Sequence, residues 1–570
     1  MNARRLSAWA ALCVLPGCYT GFSADANGPG AGQGTGATSG ADSAGGSGGE
    51  SGDEDEDETG GGDDGTALPG CVDVGPRLMR RLTGTQLRNT LEDIFEANDF
   101  PEAQVLTDPV VHGFKVDAYE ANIRDLGAQQ VMQFAESVAD WAVSEKLQTG
   151  WLPCQTTDES CTSQIIEELG LAFHREPLDE ALVEGYRDIV VQEDTFEDGV
   201  RQLISAMIQS PYFLYRRELG SPDAADADRY VLTDYELASN LSYSLTGHPP
   251  DDTLMGLAAE GVLHEDAELV AQVSRLVSSP GGQETMAAFV EGWLEVEDIG
   301  AQVRIEQPGV DFGDDVRHAM LEETAMFFNG MVQGNASVAD LLTAEHTYVN
   351  GPLAELYGIP NVSGEGFTRV DVGPGQPGSR APGLLGQGST LARHAGPDNS
   401  SPVFRGVVVR ERLLCSELAE PPSNVDTTLP PIPDGATNRE RFDVHRTDPV
   451  CASCHTLIDP LGFAFEHYDQ FGRWRDIESG QPVDASGEVT GVGEGAIAVD
   501  GVQELAEVVS TLPQYTACFT EMIAYYSYGV EACDGESLLE DAMDADVGTM
   551  DVLEAIVLSP HFRERVLEAE

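Results

Sequence analysis

Lysine is almost missing from this chain. Of 31 basic residues in 570, only Lys115 and Lys146 are lysines, and they face 98 aspartates and glutamates. The formal charge of -67 creates a field that repels phosphate backbones and anionic headgroups, which excludes nucleic acid as a partner and direct electrostatic adhesion to lipid. Long apolar runs are missing too. The run from Leu6 to Val14 falls far short of the ~20 residues that cross a bilayer as a helix, and no other run comes closer. Signatures of the common hydrolase and phosphate-transfer classes are also lacking: no phosphate loop, no H-E-x-x-H helix, no catalytic Ser-His-Asp order. What remains is an acidic solvation surface around a chain of ordinary apolar content, 41%, long enough for roughly three or four packed units.

The first residues read as a targeting segment. Arg4 and Arg5 precede the short apolar run, and Leu15-Pro16-Gly17-Cys18 then resembles a bacterial lipobox, in which the cysteine is acylated and becomes the new N-terminus. An ordinary secretory signal is the alternative, and both readings take the protein out of the cytoplasm. Residues 19–70, rich in Gly, Ser and acids and including the run Asp53 to Glu58, bury nothing and read as a self-repelling tether. A lipid on Cys18 is then the sole membrane contact, at the outer membrane or cell surface.

Apolar periodicity predicts a mainly helical body: Arg77 to Phe95, Tyr186 to Leu214, Asp234 to Leu245 and Asp315 to Met331 each repeat at helical spacing. Gly351 to Gly388 reads as loop with short strands. A small pattern recurs at Ser210-Pro211-Tyr212-Phe213 and Ser559-Pro560-His561-Phe562, with a partial copy at Ser279-Pro280. Serine before proline suits a helix N-cap and first position, so the repeat predicts a helix–corner–helix joint.

The chemistry concentrates at Cys451-Ala452-Ser453-Cys454-His455. Two thiols at this spacing suit thioether bonds to the two vinyl groups of haem, with the adjacent histidine as proximal iron ligand. Haem c is therefore the expected cofactor. Half a zinc site and a redox disulfide are the alternatives; no second cysteine pair lies nearby for the first, and no βαβ pattern surrounds the motif for the second. Downstream, Asp459-Pro460-Leu461-Gly462-Phe463 can set a carbonyl or carboxylate against the free N–H of His455. Phe463, Phe465, Phe471 and Trp474 supply an apolar wall, and Arg473 and Arg475 suit the haem propionates. The second axial position has three candidates, His394, His467 and Met522, with His394 first because it lies in the polar loop 393–401 just ahead of this region.

Setting aside Cys13 with the leader, Cys18 for lipid, and Cys451 and Cys454 for haem leaves Cys71, Cys154, Cys161, Cys415, Cys518 and Cys533. An even remainder in an exported protein suggests disulfides. Cys154–Cys161 and Cys518–Cys533 are the local pairings, and Cys71–Cys415 follows by subtraction.

The run Asp448-Pro449-Val450-Cys451 to His455, with Ile458-Asp459-Pro460-Leu461-Gly462-Phe463 after it and Ser401-Pro402-Val403-Phe404-Arg405-Gly406 before it, resembles the cytochrome-like domain of a planctomycete and myxobacterial multidomain surface family. That family was long known only as strings of domains of unknown function. Arg81-Leu82-Thr83 with Asn89-Thr90 resembles its first helical domain, Phe173-His174-Arg175 through Arg216 its second, Tyr235-Glu236-Leu237 through Tyr243 with Gly292-Trp293-Leu294 its third, and Cys518 to Phe562 its last. His174 and Gly247-His248 depart from the residues usual there, and the family's separate N-terminal cytochrome domain is not seen, which implies a single haem. The resemblance implies haem, export and architecture, and carries no reaction with it.

The sequence thus reads as a mainly α, multidomain body with a cytochrome c-like haem domain. Its segments are a lipoprotein signal at 1–18, a tether at 19–70, helical domains at 71–150, 151–220 and 221–350, the haem domain at 380–480 and a C-terminal helical domain at 500–570. Single-electron transfer to an unknown redox partner is the leading function. A haem-dependent oxidase or peroxidase-like enzyme, and a structural surface protein with a disulfide in place of haem, are the alternatives.

Overall fold

The computed structural model describes residues 74–102, 106–224, 226, 228–300, 310–376, 378–418, 435–443, 449–493, 495–530 and 546–566. Helices dominate and the sheets are small. Among the described residues no helix is long and apolar enough to cross a membrane. Cys18, Cys71 and Cys533 lie outside the described residues.

The stretch Arg77 to Phe95, expected as one helix, divides in two. Leu78–Arg81 is a strand paired antiparallel with Tyr215–Glu218, and the helix runs only from Gly84 to Phe95. Thr83 sets that boundary: it is extended, its hydroxyl accepts from the Gln86 N–H, and the Gln86 side chain accepts from the Thr83 N–H. This reciprocal cap satisfies two otherwise orphaned donors and fixes the helix start. Asp234–Thr246 and Asp314–Gln333 are helices close to their expected limits, the first capped in the same way by Thr233 and Glu236. The segment expected as loop with short strands has the strand Thr368–Asp371, paired with His346–Val349, but begins with a helix, Gly351–Tyr357.

The Ser-Pro corners cap helices through their serine hydroxyls, which accept from Tyr212, Gly282 and Phe562 N–H groups at Ser210, Ser279 and Ser559. Each corner joins two helices, as expected. The short helices Pro211–Leu214 and Pro560–Arg563 run straight into strands, Tyr215–Glu218 and Glu564–Val566. The second of these strands pairs parallel with Gly75–Pro76 and antiparallel with Arg229–Val231.

Residues Cys71 to Glu570 form one compact unit, and its apolar side chains gather in three clusters. The clusters cross the expected segment borders. Phe114 of the first segment packs with Phe289 and Tyr526, whereas Tyr243 of the third belongs with Leu82, Phe173 and Phe213. The helix carrying the cysteine motif, Pro449–Phe463, crosses Pro402–Val407 at very short range. Glycine makes this possible on both sides: a Cβ at Gly406 would strike the Ile458 carbonyl, and one at Gly462 the Pro402 carbonyl.

Candidate functional site

Cys451, Cys454 and His455 lie on the helix Pro449–Phe463, three and four residues apart, so they share one face. All three side chains are partly exposed, and the two cysteines are not joined to each other in a disulfide. One turn on, Asp459 is completely buried, and its Oδ1 lies 2.8 Å from His455 Nδ1. A carboxylate only accepts, so Nδ1 carries the proton of this bond, and Nε2 is the ring nitrogen on the side away from Asp459. The second carboxylate oxygen of Asp459 is buried without a hydrogen-bond partner among the described residues. Such an acceptor is costly to bury, and the His455 bond satisfies only the other oxygen, Oδ1.

Phe463, Phe465 and Phe471 of the expected wall are buried. Trp474 is instead 50% exposed and stacks on the ring of His467 at 4.3 Å, whose Nδ1–H donates to the Arg475 carbonyl. A residue that sequence reasoning passed over holds this shell together. Arg405, fully buried, donates to the carbonyls of Leu391, Phe465, Tyr468 and Asp469. Its signal was present in Ser401-Pro402-Val403-Phe404-Arg405, a further Ser-Pro corner that caps through Ser401.

The two arginines expected at propionates already have acidic partners. Arg473 pairs with Asp469 at 2.7 Å, and Arg475 with Glu466 at 3.0 Å and Glu478 at 2.8 Å. Burial drives the Glu466 carboxyl upward in pKa while Arg475 pulls it down, so releasing Arg475 would leave a buried acid uncompensated. His394 requires a correction. It caps the helix Gly388–Arg393 rather than lying in a polar loop, it is buried, and its Nε2 donates to the Leu294 carbonyl at 2.7 Å. That nitrogen is committed to the core and withdrawn from iron ligation. Met522 is likewise buried in the main apolar cluster.

Cys154 and Cys161 form a disulfide. Cys518 bonds Cys415, not Cys533. Local spacing misled here because Cys518 lies on the helix Pro513–Tyr528, which packs against Val408–Leu413 and so delivers Cys518 to Cys415. Subtraction then no longer assigns Cys71.

Four family models match the chain. PSD3, Protein of unknown function (DUF1587), covers residues 80–144, and PSD5, Protein of unknown function (DUF1595), covers 161–218. PSD4, Protein of unknown function (DUF1592), covers 232–359, and PSCyt3, Protein of unknown function (DUF1588), covers 381–478. No curated protein and no solved structure matches. The last of the four models spans both the Gly406–Gly462 helix crossing and the Cys451–His455 face. The chain therefore carries PSD3, PSD5, PSD4 and PSCyt3 domains in that order.

Proposed function

We propose that the protein is an exported c-type cytochrome-like lipoprotein that relays single electrons. The observation that carries this reading is the His455–Asp459 pair beside two cysteines on the same helical face. This donor set fits a covalently held haem: Cys451 and Cys454 would form its thioethers and His455 Nε2 would face its iron. A haem held here supplies one-electron redox chemistry. Asp459 fixes the tautomer and orientation of His455 and gives the imidazole anionic character, which favours the oxidised metal and sets a low potential. Zinc fits less well, because no second cysteine pair lies near the motif in the sequence.

Export is supported by the two disulfides, which belong in an oxidising compartment, and by the leader ending at Cys18. Acylation of Cys18 would anchor the body through its tether, and the name PSCyt3 agrees with a cytochrome. A second reading, a haem-dependent oxidoreductase, draws on the same carboxylate, since a strongly donating proximal histidine also suits peroxide chemistry. Protein matured in a host with haem-attachment machinery separates the two. A relay gives a low-spin iron that is reduced reversibly and binds carbon monoxide slowly. High-spin iron with rapid peroxide or carbon monoxide binding overturns the relay in favour of the enzyme.

A further inference from the structure

Far along the sequence from the cysteine motif, unbalanced charge collects where the strands Leu78–Arg81, Tyr215–Glu218 and Glu564–Val566 come together. The strand pair Leu78–Arg81 and Tyr215–Glu218 sets Arg80 opposite Arg216. The strand Glu564–Val566 adds Arg565, which occupies the same place as Arg216 in the repeated pattern Ser-Pro-x-Phe-x-x-Arg. These three guanidinium groups are all more than nine-tenths buried, and the carboxylate that faces them is Glu218. Arg565 meets one of its oxygens at 2.5 Å and Arg216 the other at 3.2 Å. Arg80 makes no ion pair among the described residues. Its guanidinium donates to the Ser527 carbonyl at 2.8 Å, an acceptor it shares with the Ser244 hydroxyl. An unmatched buried guanidinium is costly unless an anion joins it.

Arg80 also lines a cleft of about 200 Å³. Phe114, Val116, Tyr243 and Tyr526 form apolar walls, the Thr285 and Asn89 side chains stand together beside Gly247, and exposed Ala288 lies at the mouth. Lys115, one of the two lysines in the chain, lies on the same cleft and pairs with Glu297 at 3.2 Å. The volume is below the ~300–1,000 Å³ of drug-sized pockets, which selects a compact ligand.

We propose that this cleft binds a small organic anion, a carboxylate on a flat apolar body, with the carboxylate paired to Arg80 and the body lying against the Phe114–Tyr526 pair and Tyr243. Guanidinium matches carboxylate in a bidentate geometry. The inference does not depend on haem.

The test is calorimetric titration of the full-length protein with sodium benzoate and, as an uncharged isostere, benzamide. Benzoate is expected to bind about tenfold or more tightly than benzamide, the factor that one charge-assisted contact of about 1.4 kcal/mol supplies. Arg80→Gln should remove that preference. Ala288→Trp, which closes the mouth without touching the charge cluster, should abolish binding of both while leaving the melting temperature near wild type. Equal affinity for the two probes, no benzoate binding up to about 10 mM, or undiminished binding by a folded Ala288→Trp protein would each overturn the proposal.

Discussion

His455 Nδ1 lies 2.8 Å from Asp459 Oδ1, one turn along the same helix, and solvent does not reach the carboxylate. A negative charge behind the ligand imidazole stabilises the more positive state of whatever metal sits on Nε2. Asp459→Asn keeps shape and removes that charge. Haem attachment should persist, and the reduction potential should rise by roughly 60–120 mV, corresponding to a ten- to hundredfold shift in a one-electron equilibrium. Spectroelectrochemical titration of both proteins checks this, and an unchanged potential would mean that Asp459 is a structural acceptor alone.

His394 gives the opposite expectation to one based on sequence position. With Nε2 held by Leu294, His394→Ala should leave the iron spin state as in wild type and lower stability instead. Burial pushes its pKa down to about 4, against an ordinary 6.5, so the fold holds it neutral. The unfolded chain binds that proton first, so its contribution is present above about pH 6.5 and fades as pH falls toward 4. His174 behaves alike, lowered to about 3 by burial and then by Arg175. Denaturant melts between pH 7 and pH 4 should show a shallower acid loss in His394→Gln and His174→Gln than in wild type; parallel slopes would contradict this.

Glu218 is the hinge of the buried arginine cluster. Burial by itself raises its pKa, but Arg565, Arg216 and Arg80 outweigh burial and hold it at about 2. The folded state therefore keeps the carboxylate charged, and its stabilisation is present above about pH 4.5 and lost as pH falls toward 2. Glu218→Gln leaves three buried guanidiniums without an anion and should cost about 3–5 kcal/mol at neutral pH. Urea unfolding measures it; a loss below about 1 kcal/mol would match a solvent-screened surface pair instead.

The two disulfides should differ in weight. Cys415–Cys518 closes a loop of 103 residues and Cys154–Cys161 one of 7. On the chain-entropy account these contribute about 4–5 and about 2–3 kcal/mol. Replacing Cys415 and Cys518 by serine should therefore lower the melting temperature more than replacing the other pair. A non-reduced peptide map should join Cys415 to Cys518, and a Cys518–Cys533 peptide would refute the pairing.

Helical periodicity located helices such as Asp234–Thr246 and Asp314–Gln333, but left Asp125–Trp141, Glu159–His174 and Pro513–Tyr528 unread. It failed at Leu78–Arg81, where four residues are too few to tell one period from another, and the partner strand lies more than a hundred residues away. The residues carrying the family resemblance in the first four domains fall in the four matched segments. At the motif, the carboxylate behind His455 was legible because i and i+4 share a helical face. The commitments of Arg473, Arg475 and His394 were not, since each depends on a neighbour fixed only by tertiary packing. The Ser-Pro repeat was visible as a cap, but its arginines at 216 and 565 acquire meaning only when two distant strands meet.

The central claim is a covalent haem at Cys451 and Cys454. The most direct measurement is mass spectrometry of the peptide containing Cys451 to His455, from protein matured with haem-attachment machinery and then denatured. The account requires that peptide to carry the mass of one haem and its absorption, and the Cys451→Ala, Cys454→Ala double variant to carry neither. A wild-type peptide at bare polypeptide mass, or at that mass less two hydrogens as a disulfide, contradicts it.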